Sequence, residues 1–156
     1  VILACRNISA GEKAKADIER TTGRKNVVQV WQLDLASFAS VKAFAVRASN
    51  DLDRLDGLIE NAGVQLGTWT EAEGMETSMT VNVVSTMLLG VLMMPKLIES
   101  ARQFGIAPRV VFLVSGLGFT AQKELAKGGK TDILKGLNNP QEQALTQRYV
   151  RCDDVV

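Results

Sequence analysis

The chain has 156 residues, 46% of them hydrophobic, which is room and material for one domain with a real core. Its 18 basic and 17 acidic residues leave a net charge of +1 and form no basic or acidic tract, so there is no electrostatic footprint for nucleic acid. The absence of histidine excludes Ser-His-Asp and Cys-His catalysis within these residues and argues against any metal centre of the zinc type.

No run approaches the roughly 20 apolar residues that cross a bilayer. The longest, Met87 to Met94, contains Gly90 and ends at Pro95, so it reads as a buried helix, and no membrane partner is expected. Cys5 and Cys152 form no spaced framework, which favours a reducing, cytoplasmic setting. Val1 opens inside an apolar run with no charged region before it, so the start reads as a truncation.

In chain order, Val1 to Cys5 is a continuous apolar run, as in a strand buried on both faces. Ser9 is expected to cap a helix from about Ala10 to Thr22, with Ala14 and Ile18 on one face and Gly23 at its end. Val27 to Leu33 is β-rich and reads as a second strand, closed by Asp34-Leu35. Ser37 offers the next cap, and Val41, Phe44, Ala45 and Ala48 recur at helical spacing. Leu55 to Ile59 is a third strand, broken at Asn61-Ala62-Gly63. Thr77 to Phe104 is helical in pattern, bearing Met79, Val83, Met87, Val91 and Leu97, with Gly105 and Pro108 at its end. Val110 to Val114 is a fourth strand. Beyond Ser115, Lys127 to Lys130 reads as a loop and Asn138-Asn139-Pro140 as a turn before a short helix reaching Tyr149; Val150 to Val156 match no element. Four buried strands separated by helices argue for an α/β fold with a parallel sheet built from right-handed crossovers.

Several residues could carry chemistry. Arg6 follows the first strand, where a doubly wound fold meets the adenosine ribose of a dinucleotide; a guanidinium there suits a 2′-phosphate, and a solvated strand-end arginine is the alternative. Asp34 closes the second strand, as an adenine-side acceptor or an ordinary turn residue. In Asn61-Ala62-Gly63 the small residues let backbone approach a cofactor, and Asn61 can tie neighbouring strand ends. Asn82 sits mid-helix, where asparagine is mildly unfavourable unless it has work to do or simply faces solvent. Ser115 ends the fourth strand, at the sheet edge that presents side chains to a ligand crevice.

An Asn-Ala-Gly turn followed in order by Asn82, Ser115 and Tyr149 resembles the short-chain dehydrogenase/reductase family, and the stretch from Thr131 to Tyr149 resembles a fungal-type, retinol-dehydrogenase-like branch with an extended serine-to-tyrosine loop. The resemblance implies a Rossmann-like doubly wound parallel sheet of three layers, here a single partial NAD(P)-binding domain over 1–156 that lacks its first strand and C-terminal part. It implies an oxidoreductase interconverting a carbonyl and an alcohol on a small organic substrate, with NADP preferred to NAD and the 156 residues by themselves expected to be inactive. Tyr149 would be the general acid/base, Ser115 would hold the substrate oxygen and Asn82 would support a proton relay; Arg6, Asp34, Leu35, Asn61, Ala62 and Gly63 would line the cofactor. A homo-oligomer is left open.

The chain departs from the family pattern at four points. Glu60 replaces the first asparagine of the turn, no Gly-rich phosphate loop precedes Val1, Cys152 stands at a frequent serine, and Asp153 occupies the position of the lysine four residues beyond the tyrosine. Negative charge at Asp153 would disfavour phenolate, the reverse of what a phenol with a free pKa of about 10 needs. Two alternatives follow: a non-catalytic homologue acting as a binding or partner module, and a flavodoxin-like module, which the strand pattern alone allows.

Overall fold

The computed structural model describes residues 1–116 and 138–140. The opening apolar run forms β1 (Ile2–Cys5), and α1 (Ile8–Thr22) crosses over to β2 (Gln29–Gln32). The strands pair in parallel from Ile2↔Gln29 to Cys5↔Gln32, and the Leu33 N–H extends the ladder by donating to the Cys5 carbonyl at 3.0 Å.

Helix α1 starts earlier than Ser9 would set it. Asn7 is the cap: its extended backbone lets Oδ1 accept from the Ala10 N–H at 3.0 Å. Gly23 ends the helix with a φ of 66°, the left-handed conformation that favours glycine. The Ala14–Ile18 face is exposed, and α1 instead seats on the strands at buried Gly11. A Cβ at Gly11 would stand 2.5 Å from Val30 Cγ1 and 2.6 Å from Cys5 Sγ. Apolar spacing misses this contact because it is made by the lack of a side chain.

Helix α2 (Phe38–Asp51) is capped by Ser37 and buries Val41, Phe44, Ala45 and Ala48, the four residues its spacing singles out. Trp31 meets Phe44 edge-on at 5.8 Å, and the Arg47 guanidinium lies 3.9 Å over the Trp31 ring. Val30 faces α1 while Trp31 faces α2, so the two helices cover opposite faces of β1–β2.

Strand β3 (Gly57–Glu60) follows, then a hairpin of β4 (Glu71–Ala72) and β5 (Met75–Glu76) that the sequence pattern does not announce. Its two-residue turn is Glu73-Gly74, with φ of 55° and 75°. This is the mirror-type turn whose twist matches paired strands. Glu73 Oε1 accepts from the Phe38 N–H at 2.8 Å, fixing the hairpin to the start of α2.

One continuous helix of 28 residues comes next: α3 (Thr77–Met79), a π-helical segment (Thr80–Ser85) and α4 (Thr86–Phe104), closed by Gly105 at φ 63°. Leu89, Met93 and Leu97 are buried, whereas Val83, Met87 and Val91 are exposed. The helix is apolar nearly all round, so periodicity cannot choose its inner face; side-chain ties do, among them Ser100 Oγ accepting from the Leu55 N–H at 2.9 Å. It is long and apolar enough to cross a membrane, with a mean hydropathy of 1.7 over its most apolar 18 residues, but Leu89 and Met93 join the protein core, as expected of a buried helix.

Strand β6 (Arg109–Phe112) pairs in parallel with β3, from Gly57↔Arg109 to Glu60↔Phe112. The parallel sheet therefore forms as two pairs, β1–β2 and β3–β6, with no strand among the described residues bridging them. This agrees with the lack of the first strand that the family resemblance implies. A shared core joins the pairs, with Trp31, Leu33 and Leu35 on one side, Leu58 on the other, α2 packed on β2, α4 on β3, and the two helices on each other. Phe112 lies under Gly90, where a Cβ would come within 3.1 Å of its ring. The opposite face of β3–β6 is open among the described residues: Ile59 is 69% exposed and Val111 45%.

Candidate active site

Parallel pairing in register brings the C-terminal ends of the strands together, and the expected site residues follow those ends. Beyond β1 and β2 lie Arg6 and Asp34; beyond β3 and β6 lie Asn61-Ala62-Gly63 and Ser115. The Gln32 side-chain amide donates to the Arg6 carbonyl at 3.0 Å, anchoring its backbone. The exposed Arg6 guanidinium makes no hydrogen bond or ion pair among the described residues.

Asp34 is bonded as a turn residue. One carboxylate oxygen accepts from the Ala36 N–H at 2.9 Å, and its own N–H donates to Ser40 Oγ at 2.9 Å, so the turn into α2 is built on it. The second oxygen bonds nothing among the described residues. Leu35 is buried in the core, leaving only its main chain for a ligand.

Asn82 has the most definite geometry. It lies in the π segment, where the widened turn is supported by Thr86 Oγ1 donating to the Val81 carbonyl at 3.0 Å. Its Oδ1 accepts from the Val64 N–H at 2.8 Å and its Nδ2 donates to the Val64 carbonyl at 2.8 Å. The carboxamide thus bonds one residue's N–H and C=O as an antiparallel strand would. Gly63 sits directly beneath, its missing Cβ 3.4 Å from Asn82 Oδ1. The tie across this turn comes from Asn82, while the Asn61 side chain is exposed. Single-turn π segments inside α-helices recur at functional sites.

Glu60 is the group that sequence reasoning passed over. It is buried at the end of β3, its Oε1 has no hydrogen-bond partner among the described residues, and burial pushes its carboxyl up to about 7. Its side chain shares the α4-facing side of β3–β6 with Leu58 and Phe112. The available signal was its departure from the family's turn. Ser85 Oγ, in the π segment, is likewise buried without a partner. Tyr149, Cys152, Asp153 and the loop at Lys127 lie outside the described residues.

A family model described as short chain dehydrogenase matches residues 1–127. The chain belongs to the short-chain dehydrogenase/reductase family. Short chain dehydrogenase/reductase dmxR8 of Cryptosporiopsis sp. is 49% identical over 109 residues, covering 69% of this chain and 34% of that protein. Short chain dehydrogenase atnD of Emericella nidulans is 38% identical over 151 residues, covering 96% and 47%. The chain thus spans about a third to a half of the length of these curated relatives. A short-chain dehydrogenase from Sphingobium yanoikuyae, solved in complex with NADPH, superposes with a TM-score of 0.61 at 26% identity, covering 78% of this chain and 46% of that one. The match supports a short-chain-dehydrogenase Rossmann fold.

Proposed function

We propose that this chain serves an NADP(H)-dependent oxidoreductase that interconverts a carbonyl and an alcohol on a small organic molecule. The observation that carries the reading is the gathering of Arg6, Asp34, Asn61-Ala62-Gly63 and Ser115 at the C-terminal ends of two parallel strand pairs, with Asn82 bonded across the turn. This is the edge where open α/β sheets bind ligands. The residues fit a phosphorylated dinucleotide: a guanidinium at Arg6 and a carboxylate oxygen at Asp34 that have no partner among the described residues, and a Cβ-free backbone at Gly63. The Sphingobium relative's complex with NADPH supports the same cofactor.

Arg6 would grip a 2′-phosphate through charge-assisted bonds, and Asp34 would accept from an adenine amino group. The main chain of Asn61, Ala62 and Gly63 would pass close along the cofactor. When bound, NADPH supplies the hydride and NADP⁺ takes it back. Ser115 Oγ would donate to the substrate oxygen, and the Tyr149 phenol would give that oxygen its proton. Asn82 spends one acceptor site and one N–H on Val64, which leaves one hydrogen on Nδ2 and one lone pair on Oδ1 for a relay. Asp153 favours a second reading, a binding module that turns over poorly, because its charge opposes phenolate at Tyr149.

Titration with NADPH and NADH of the chain extended upstream by a family-type strand and Gly-rich loop tests the cofactor. NADPH should bind more tightly, and Arg6→Asp should reverse the order. Equal affinities before and after the change remove Arg6 from the site. Carbonyl-dependent NADPH oxidation that is lost in Tyr149→Phe selects the enzyme; cofactor binding without turnover selects the module.

A further inference from the structure

We infer that Asn138 is a positioning residue, which fastens the stretch of chain between Ser115 and Tyr149 to the start of the helix that carries Asn82. The hairpin turns one edge of β5 away from β4. In the register Glu71↔Glu76 and Ala72↔Met75, Thr77 N–H donates to the Thr70 carbonyl, whereas Glu76 N–H and the Gly74 carbonyl lie on the outer edge. Asn138 Oδ1 accepts from that Glu76 N–H at 2.7 Å, and Asn138 Nδ2 donates to that Gly74 carbonyl at 3.4 Å.

These two groups flank Met75. They are the pair that one residue of a parallel neighbouring strand would engage with its own N–H and C=O. A single carboxamide therefore does the work of a third strand, where a full strand would have covered more of the edge.

What it grips matters for the site. Glu76 is 2% exposed and opens the long helix, its carboxylate accepting from the Met79 N–H at 2.9 Å and from Ser78 Oγ at 2.9 Å. Its carbonyl accepts from Thr80 Oγ1 at 3.2 Å, and that hydroxyl also donates to the Ala72 carbonyl at 2.8 Å. Thr80 begins the π segment. Asn138, Glu76 and Thr80 thus form a connected run of polar contacts that ends at the start of the π segment, two residues before Asn82, which is tied separately to Val64. Through it, the stretch leading to Tyr149 is referenced to the same helix end as the Asn82 turn.

The inference rests on the proposed roles of Ser115 and Tyr149, and its test is separate from cofactor binding. Tyr149 is the one tyrosine in the chain, so 3-fluorotyrosine labelling gives one signal for it. In the 156-residue chain, amide exchange at Glu76 and that fluorine signal would be read in the native protein, Asn138→Ala and Asn138→Asp. In Asn138→Ala, Glu76 should exchange about tenfold faster, the loss of one hydrogen bond, and the signal should move toward that of free fluorotyrosine. Asn138→Asp keeps the acceptor for Glu76 but loses the donor to Gly74, so it should retain slow Glu76 exchange with a Tyr149 signal between those of the native chain and Asn138→Ala. A Tyr149 signal unmoved in Asn138→Ala, or Glu76 exchange equal in the native chain and Asn138→Ala, overturns the inference. So does loss of the Trp31 indole signal in both variants, because the fastening would then be part of the global core. Failure to bind NADPH would sink the cofactor reading and leave these signals as they are.

Discussion

The two strand pairs are built from similar sequence but are enclosed differently. β1–β2 has α1 on one face, brought to contact by Gly11, and α2 on the other, locked by Trp31 and Phe44. β3–β6 has α4 on one face and nothing packed on the other among the described residues, where Ile59 is 69% exposed. Both pairs end in candidate ligand groups, yet those groups differ in kind. The enclosed pair offers exposed charge at Arg6 and a half-buried carboxylate at Asp34. The half-open pair buries its carboxylate at Glu60 and arranges neutral amides and small residues around it. Enclosure by helices therefore does not predict where the polar groups are buried; the side of the strand they occupy does.

The sharpest way to break this comparison is at Trp31. Trp31→Ala should cost about 3–5 kcal/mol, the loss of a buried aromatic together with its contacts to Phe44 and Arg47. Chemical denaturation measures it, and a cost below about 1 kcal/mol would mean that the enclosed pair is not the stable one.

Glu60 gives the next effect, with a definite sign. Its carboxyl titrates near 4.5 when unfolded and near 7 when folded, so folding favours the protonated form. Stability from this group is therefore highest below pH 4.5, falls as pH rises to 7, and stays lower above it. Glu60→Gln should match the native chain at pH 4 and exceed it at pH 8 by at most about 3 kcal/mol. Thermal unfolding across pH reads this directly, and an equal gain at both pH values would assign the effect to something other than titration.

Asn82→Ala removes two hydrogen bonds to Val64, which solvent can partly replace because Asn82 is exposed; a loss of about 1 kcal/mol is expected. Val64 amide exchange should accelerate while core amides keep their protection. The smallest effect belongs to the open face: Ile59→Ser should change stability by less than about 0.5 kcal/mol. A cost several times larger would show that the face is covered in solution.

The sequence was most legible where one signal decided one feature. Helix α2 could be read almost completely, because Ser37 caps it and its apolar residues occupy a single face. The strands were legible as apolar runs, and so was the break between the two pairs. Legibility failed where the deciding contact lies outside the pattern. Gly11 seats α1 by having no side chain, and Asn7 outcompetes Ser9 as the cap from one turn upstream. The inner face of α4 is set by Ser100, and the bearing of the π segment by Asn82, each reaching across the fold. The Glu73-Gly74 turn carried a weak local signal that two-residue strands did not amplify. In the site, residue order along the chain marked Asn61, Asn82 and Ser115, but neither the bidentate tie to Val64 nor the burial of Glu60 could be read before the strands were in register.

The π segment has a consequence in register. A helix turns about 100° per residue, and a π turn accommodates about one residue more than an α turn of the same span. The long helix thus contains a surplus residue, and it is absorbed between Thr80 and Ser85. Deleting one residue there would let the helix run on as plain α-geometry while Leu89 and Met93 kept their seats in the core. Everything upstream would swing by about 100°, carrying Glu76 and its hairpin off their present bearing. The surplus residue acts as a phase shift: it lets a core-facing end and a site-facing end belong to one helix without agreeing on which way is inward.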